Sequence, residues 1–96
     1  MRNEGDVKKA VKELLNKLGV YWFMPVQTGF GVKGIPDFIC CHNGRFIGIE
    51  TKFGGNKTSA WQDIQINKIR AANGKCFVIN EKNLTDLPDK ILEDTE

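Results

Sequence analysis

The chain has 96 residues, 41% hydrophobic and 27% charged, which suffices for one modest globular core and leaves little margin for a second. No apolar run is long enough to span a bilayer and the N-terminus lacks the basic-then-apolar pattern of a signal peptide, so a cytoplasmic protein with no membrane partner is expected. The formal charge of +2 hides an asymmetry: residues 81–96 carry six acids and two bases, leaving the tail at −4 and the body at +6, a balance that suits a polyanionic partner.

Asn3 is placed to cap a helix in which Val7, Ala10, Val11, Leu14, Leu15 and Leu18 recur at helical spacing until Gly19 stops it. Glu4 lies one turn before Val7, at the inward end of the apolar stripe, where a first-turn acid interacts favourably with the helix N-terminus. Residues 20–26 predict a strand of large apolar side chains, broken at Pro25 as at a sheet edge or strand end. Tyr21, Trp22, Phe23 and Met24 are expected in the core rather than as a stacking platform. The glycine-spaced stretch 27–34 then leads into Pro36-Asp37; a strand and not a helix follows it, so it is no phosphate cradle of the helix N-terminal kind.

Phe38-Ile39-Cys40-Cys41 and Phe46-Ile47-Gly48-Ile49 are short apolar runs flanking Asn43-Gly44, the strongest short hairpin signal. A two-residue type I′ turn there sets His42 against Arg45 and, counting outward, Asp37 against Glu50, with Lys52 on the same side as Glu50. Opposed residues of an antiparallel pair have Cβ atoms roughly 5 Å apart, so two carboxylates in that register repel unless a cation lies between them. Oxygen ligands of this kind suit Mg²⁺ or Mn²⁺, with the Thr51 carbonyl as a further ligand. The bland alternative, a surface ion pair between Glu50 and Lys52, leaves Asp37 unexplained.

Both faces of the hairpin are apolar apart from its acidic end, which predicts helices on both sides of the sheet. After the loop 53–57, Thr58 or Ser59 caps a second helix running to about Asn73 and Gly74, with Trp61, Ile64, Ile69 and Ala72 as its buried side. Gln62 and Gln65 fall on or beside that arc and need partners there. Cys76-Phe77-Val78-Ile79 reads as an interior strand. Leu84, Leu87, Ile91 and Leu92 suggest a short last helix with Pro88 in its first turn and a frayed acidic end. Adjacent strand positions point to opposite faces, so Cys40, Cys41, His42 and Cys76 are expected as core thiols and not as a zinc site, and an odd number of cysteines speaks against disulfides. The predicted order is an α/β fold with an αβββαβ core.

Pro36-Asp37 followed by Glu50-Thr51-Lys52, with Gln62 in the next helix, resembles the PD-(D/E)xK nuclease signature, and nearest within it the virus-type replication-repair nuclease domain, VRR-NUC, in its small stand-alone bacteriophage form. The resemblance spans Glu4 to about Leu92, so residues 1–96 are expected to form a single domain of that kind. It implies a restriction-endonuclease-like core with a mixed sheet flanked by helices on both faces. It also implies a metal-dependent endonuclease, selective for branched or junction DNA in replication, recombination or repair. On that basis Asp37, Glu50, Lys52, Gln62 and Glu4 are the candidate catalytic residues, with Asp37, Glu50, Thr51 and, through water, Glu4 at the Mg²⁺ or Mn²⁺. Lys52 orients or deprotonates the attacking water, and Gln62 lies near the lysine or the substrate. The loop 27–34 lets the DNA backbone approach, with Lys33 and Lys57 as phosphate contacts, against the alternative of an ordinary long turn. A two-fold homodimer would present two sites to opposing strands of a junction. The competing readings are a non-catalytic nucleic-acid-binding or partner module with a nuclease fold, and a restriction-type enzyme, for which no base-reading insertion is evident.

Overall fold

The computed structural model describes residues 1–27 and 29–93. Asn3 caps the first helix by accepting from the Asp6 N–H at 2.9 Å, and α1 (Glu4–Leu18) ends where Gly19 turns left-handed. The chain continues through β1 (Tyr21–Phe23), β2 (Phe38–His42), β3 (Arg45–Thr51), α2 (Ala60–Ala71) and β4 (Lys75–Ile79). A single 3-10 turn at Leu84–Asp86 then leads into α3 (Leu87–Leu92), with Pro88 in its first turn. The expected αβββαβ order is present. The strands form one mixed sheet in the order β1-β2-β3-β4, antiparallel except for the parallel pairing of β3 with β4.

The hairpin turns where it was expected to turn. Asn43 and Gly44 both have positive φ, 52° and 78°, as a type I′ turn requires, and the register runs from His42 opposite Arg45 to Phe38 opposite Ile49. Alternation along β3 then sends Ile47 and Ile49 to one face of the sheet and Gly48 and Glu50 to the other. On the first face Phe38, Cys40, Ile47, Ile49 and Ile79 close with Val7, Val11 and Leu15 of α1 and with Leu87 and Ile91 of α3 into the main core. On the second, α2 lies so near Gly48 that an added Cβ would meet Ile69 at 3.3 Å, with Pro36 and Cys76 of β4 at 3.0 and 3.1 Å. Helices therefore flank both faces.

Several expectations fail. Only Tyr21–Phe23 is strand, and it alternates: Trp22 packs on Phe38 at 5.6 Å between ring centroids and donates to Asn16 at 2.9 Å, while Tyr21 and Phe23 are exposed on the face that α2 does not reach. The inward row of α2 is Gln62, Gln65, Ile66 and Ile69, with Ile66 buried and the others half-buried, one residue round from the arc of Trp61, Ile64 and Ala72, all three of which are exposed; Ile69 alone is shared. β4 is an edge strand, and its unbroken apolar run reflects cover on both faces rather than neighbours on both edges. Cys40 and Cys76 are buried free thiols, pushed up to about 12 and about 11 by burial, whereas Cys41 is exposed, being on the uncovered side of β2. Leu92 is also exposed, and the expected fraying of the acidic end falls on 94–96, outside the described residues.

Candidate active site

The ladder between β2 and β3 stops at Phe38 and Ile49, and Asp37 sits in a bend just beyond it. Its carboxylate is held by the residue after Glu50: Oδ2 accepts from the Thr51 N–H at 3.0 Å and from the Thr51 hydroxyl at 2.5 Å. The expected register, continued one step past Phe38 and Ile49, sets Asp37 opposite Glu50; the Asp37 carboxylate bonds the neighbouring Thr51, while its charge and its backbone N–H both act on the Glu50 carboxylate.

Glu50 is only 2% exposed. Its Oε2 accepts from Gln62 Nε2 at 2.7 Å and lies 3.6 Å from Lys52 Nζ, on a lysine side chain that is itself only 15% exposed. Lys52 follows β3 directly and extends its pairing, the Lys52 N–H donating to the Ile79 carbonyl at 2.9 Å, so its side chain is aimed by the sheet. The other oxygen of Glu50, Oε1, is buried without a hydrogen-bond partner. Burial first, and then the Asp37 charge, push the Glu50 carboxyl up to about 7, with Lys52 and the Asp37 N–H pulling the other way and Glu4 adding to the rise.

Gln62 reaches Glu50 because it is doubly anchored. Its backbone N–H donates to the Ser59 hydroxyl at 3.2 Å and its side-chain oxygen accepts from the Ser59 N–H at 2.9 Å, a capping box that orients the amide with its NH₂ toward Glu50. The expected placing of Gln62 near the lysine or substrate becomes a bond to the carboxylate that the lysine also faces. The Ser-x-x-Gln spacing was available in the sequence as the signal for this cap. Thr51 as the clasp of Asp37 had no such signal, since its side chain and N–H act only once the bend at Asp37 has formed.

Glu4 opens α1 close enough to influence Glu50, while its own carboxylate pairs with Lys8 at 3.2 Å. Lys33 lies in the loop before Asp37 with its ammonium 5.1 Å from the centre of the Trp61 ring, and Lys57 is exposed in the loop before α2. Gly34 locks the first of these loops to the helix: at φ 80°, an added Cβ would stand 2.3 Å from the Trp61 carbonyl oxygen. A polar hollow lined by His42, Arg45, Lys75 and Glu93 lies at the opposite end of β3 and contributes nothing to this group.

The residues suit a small hard cation. Among the described residues no three His, Cys, Asp or Glu side chains converge as a closed cage. Mg²⁺ and Mn²⁺ do not need one, since Mg²⁺ in particular is commonly held by one or two carboxylates with waters and phosphate oxygens completing the shell. The unpartnered Glu50 Oε1 beside a second carboxylate is the fitting donor set, because a buried acceptor of that kind is costly unless something positive meets it.

No protein-family model matches the chain, and no curated protein matches it by sequence. Its likeness lies in the fold. A solved VRR-NUC domain superposes with a TM-score of 0.76 at 25% identity, covering 90% of this chain and 94% of that one. The chain has the fold of a VRR-NUC domain, which supports a nuclease domain of that type. A Holliday junction resolvase from the archaeal hyperthermophile Archaeoglobus fulgidus shares the fold more distantly, with a TM-score of 0.60 at 18% identity over 79% of this chain and 66% of that one. The VRR-NUC-type core thus has the restriction-endonuclease-like α/β architecture, with Asp37, Glu50 and Lys52 at the ends of β2 and β3 where the hairpin opens. Among the described residues no helix of this domain is long and apolar enough to cross a membrane.

Proposed function

We propose that residues 1–96 act as one domain that hydrolyses phosphodiester bonds in branched or junction DNA, as a Mg²⁺- or Mn²⁺-dependent endonuclease. The observation that carries this reading is Glu50: a buried carboxylate with one oxygen unpartnered, a second carboxylate beside it and a lysine on its other oxygen. Asp37, Glu50 and the main-chain carbonyl of Thr51 would hold the ion, and Glu4 acts from behind them. A bound divalent cation offsets charge on the phosphate and makes water acidic enough to serve as a nucleophile near neutral pH.

The chain's own residues do the rest. Gln62 occupies Oε2 of Glu50 and leaves Oε1 without a partner, while Thr51 holds the Asp37 carboxylate through two hydrogen bonds. Lys52 orients or deprotonates the attacking water and offsets negative charge as it builds on the scissile phosphate. Lys33 and Lys57 supply cations for the flanking phosphates, contacts that position the strand without reading its sequence.

The test is a set of labelled substrates, a four-way junction, a flap and a linear duplex, incubated with Mg²⁺ or with EDTA. Asp37→Asn, Glu50→Gln and Lys52→Ala are each expected to lose metal-dependent cleavage while keeping their circular dichroism. Near-normal turnover in any one of them would remove that residue's role. Cutting of particular linear sequences would point to a restriction-type enzyme, and binding without cutting to a non-catalytic module.

A two-fold dimer belongs to the same reading, supported by the exposed apolar strip of Tyr21, Phe23 and Phe46 on the sheet face that α2 leaves open. Two copies joined there would carry paired sites to opposing strands. Sedimentation is expected to show a dimer that Phe23→Glu dissociates; a monomer that still cuts junctions symmetrically would sink it.

A further inference from the structure

One large ring close in sequence to the candidate site is left in solvent. Trp61 is 55% exposed, one residue before the glutamine that touches Glu50, and it lies outside the row that α2 buries. A lysine or glutamate would serve a solvated helix position as well. Lys33 stands over the ring, and Val32 and Phe30, both exposed, belong to the same loop. Gln27 Nε2 donates to the Ile35 carbonyl at 2.9 Å, and Gly34 is pressed against the Trp61 backbone.

We propose that Trp61, with Lys33 beside it, is a stacking seat for an unpaired base next to the phosphate that is cut, so that the enzyme selects DNA with disrupted pairing by holding a base that a duplex keeps inside its stack. This rests on the hydrolytic reading of the site. An aromatic face accepts any base, and an ammonium at the same place takes the adjoining phosphate, so one patch grips one nucleotide by both of its parts. Charge and position decide for nucleic acid over a protein partner: Lys33 over the ring matches a phosphate, and Trp61 adjoins in sequence the glutamine that holds Glu50. Selection of this kind needs no added recognition domain. Fully paired DNA would be disfavoured because its bases must first be unstacked.

The experiment measures binding in the Asp37→Asn background, so that the DNA stays whole, using a labelled duplex with a short thymine bulge and the same duplex fully paired. Trp61→Ala is expected to weaken the bulged complex about 5- to 150-fold, the span of base–aromatic stacking by alanine substitution, and to leave the paired one unchanged. Trp61→Phe should retain most of the affinity, and bulged DNA should quench the Trp61 fluorescence that this variant lacks. Trp61→Gln replaces the alanine variant should that lose its circular dichroism. Equal weakening on both DNAs, or none, overturns the proposal, as does a change in self-association with bulge binding intact. Cleavage of the bulged DNA by the unsubstituted protein separates the two readings. Cutting without Trp61-dependent binding removes the seat and keeps the hydrolysis, while Trp61-dependent binding without cutting does the reverse.

Discussion

Along β3 the side chains alternate between a face that α1 and α3 seal completely and a face that α2 covers only in part. Ile47 and Ile49 have no exposure at all and pack among Phe38, Leu15, Ile79 and Leu87, whereas Phe46 is 43% exposed and Glu50 is buried as an acid rather than as a hydrocarbon. One backbone thus divides two tasks between its sides. The sealed side supplies the burial that stabilises the fold, and the other side can then hold a desolvated carboxylate that would be unfavourable without that support. The comparison also explains why both candidate surfaces for partners, the Tyr21–Phe46 strip and the Trp61 patch, lie on the incompletely covered side.

The sharpest way to break this contrast is Phe38→Ala, which empties a fully buried ring from the sealed face and is expected to cost about 3–5 kcal/mol in urea unfolding. A loss below about 1 kcal/mol would mean that the two faces are not energetically distinct.

Glu50 comes next. Its folded pKa of about 7 lies above the ordinary 4.5, so between those values the folded metal-free protein holds a proton that the unfolded chain has released. That contribution is complete below the unfolded pKa and is lost as pH rises through about 7. Metal-free protein should therefore lose on the order of 2 kcal/mol between mildly acid and mildly alkaline pH relative to Glu50→Gln. Mg²⁺ or Mn²⁺ should restore the wild-type protein at the alkaline end. Parallel pH profiles for the two proteins would show that the carboxylate is not strained by burial.

Gly34→Ala probes how the loop is mounted on the incompletely covered face. The new methyl group meets the Trp61 carbonyl in a backbone conformation that alanine resists, at a cost of about 1–3 kcal/mol, and the loop must lift away from α2. Cleavage should fall by more than stability does; an unchanged turnover would uncouple the loop from Asp37. The smallest effect is expected from Phe46→Ala, within about 1 kcal/mol in the monomer because the ring is half in water already.

Much of this was legible before folding. The Asn43-Gly44 turn carries its own φ preference, so the register of the hairpin, and with it the meeting of Asp37, Glu50 and Lys52 at its open end, could be counted out from the sequence. The phase of α2 was misread because Trp61 and Ile64 are apolar and Gln62 is not. Hydrophobicity alone then turns the helix the wrong way, and the capping box with its bond to Glu50 turns it back. β1 was read as core for a similar reason, since large apolar residues look buried until the reach of α2 is known.

Local chemistry by itself determined the caps of α1, the hairpin turn and the order of the elements, and the register counted out from that turn brought Asp37 toward Glu50 and Lys52. Only the tertiary structure decided that Thr51 grips Asp37, that Gly34 admits the loop to the helix backbone and that Glu50 is left with one oxygen unanswered. Those facts depend on which surfaces remain uncovered once distant segments have packed, and no local pattern in the chain encodes that.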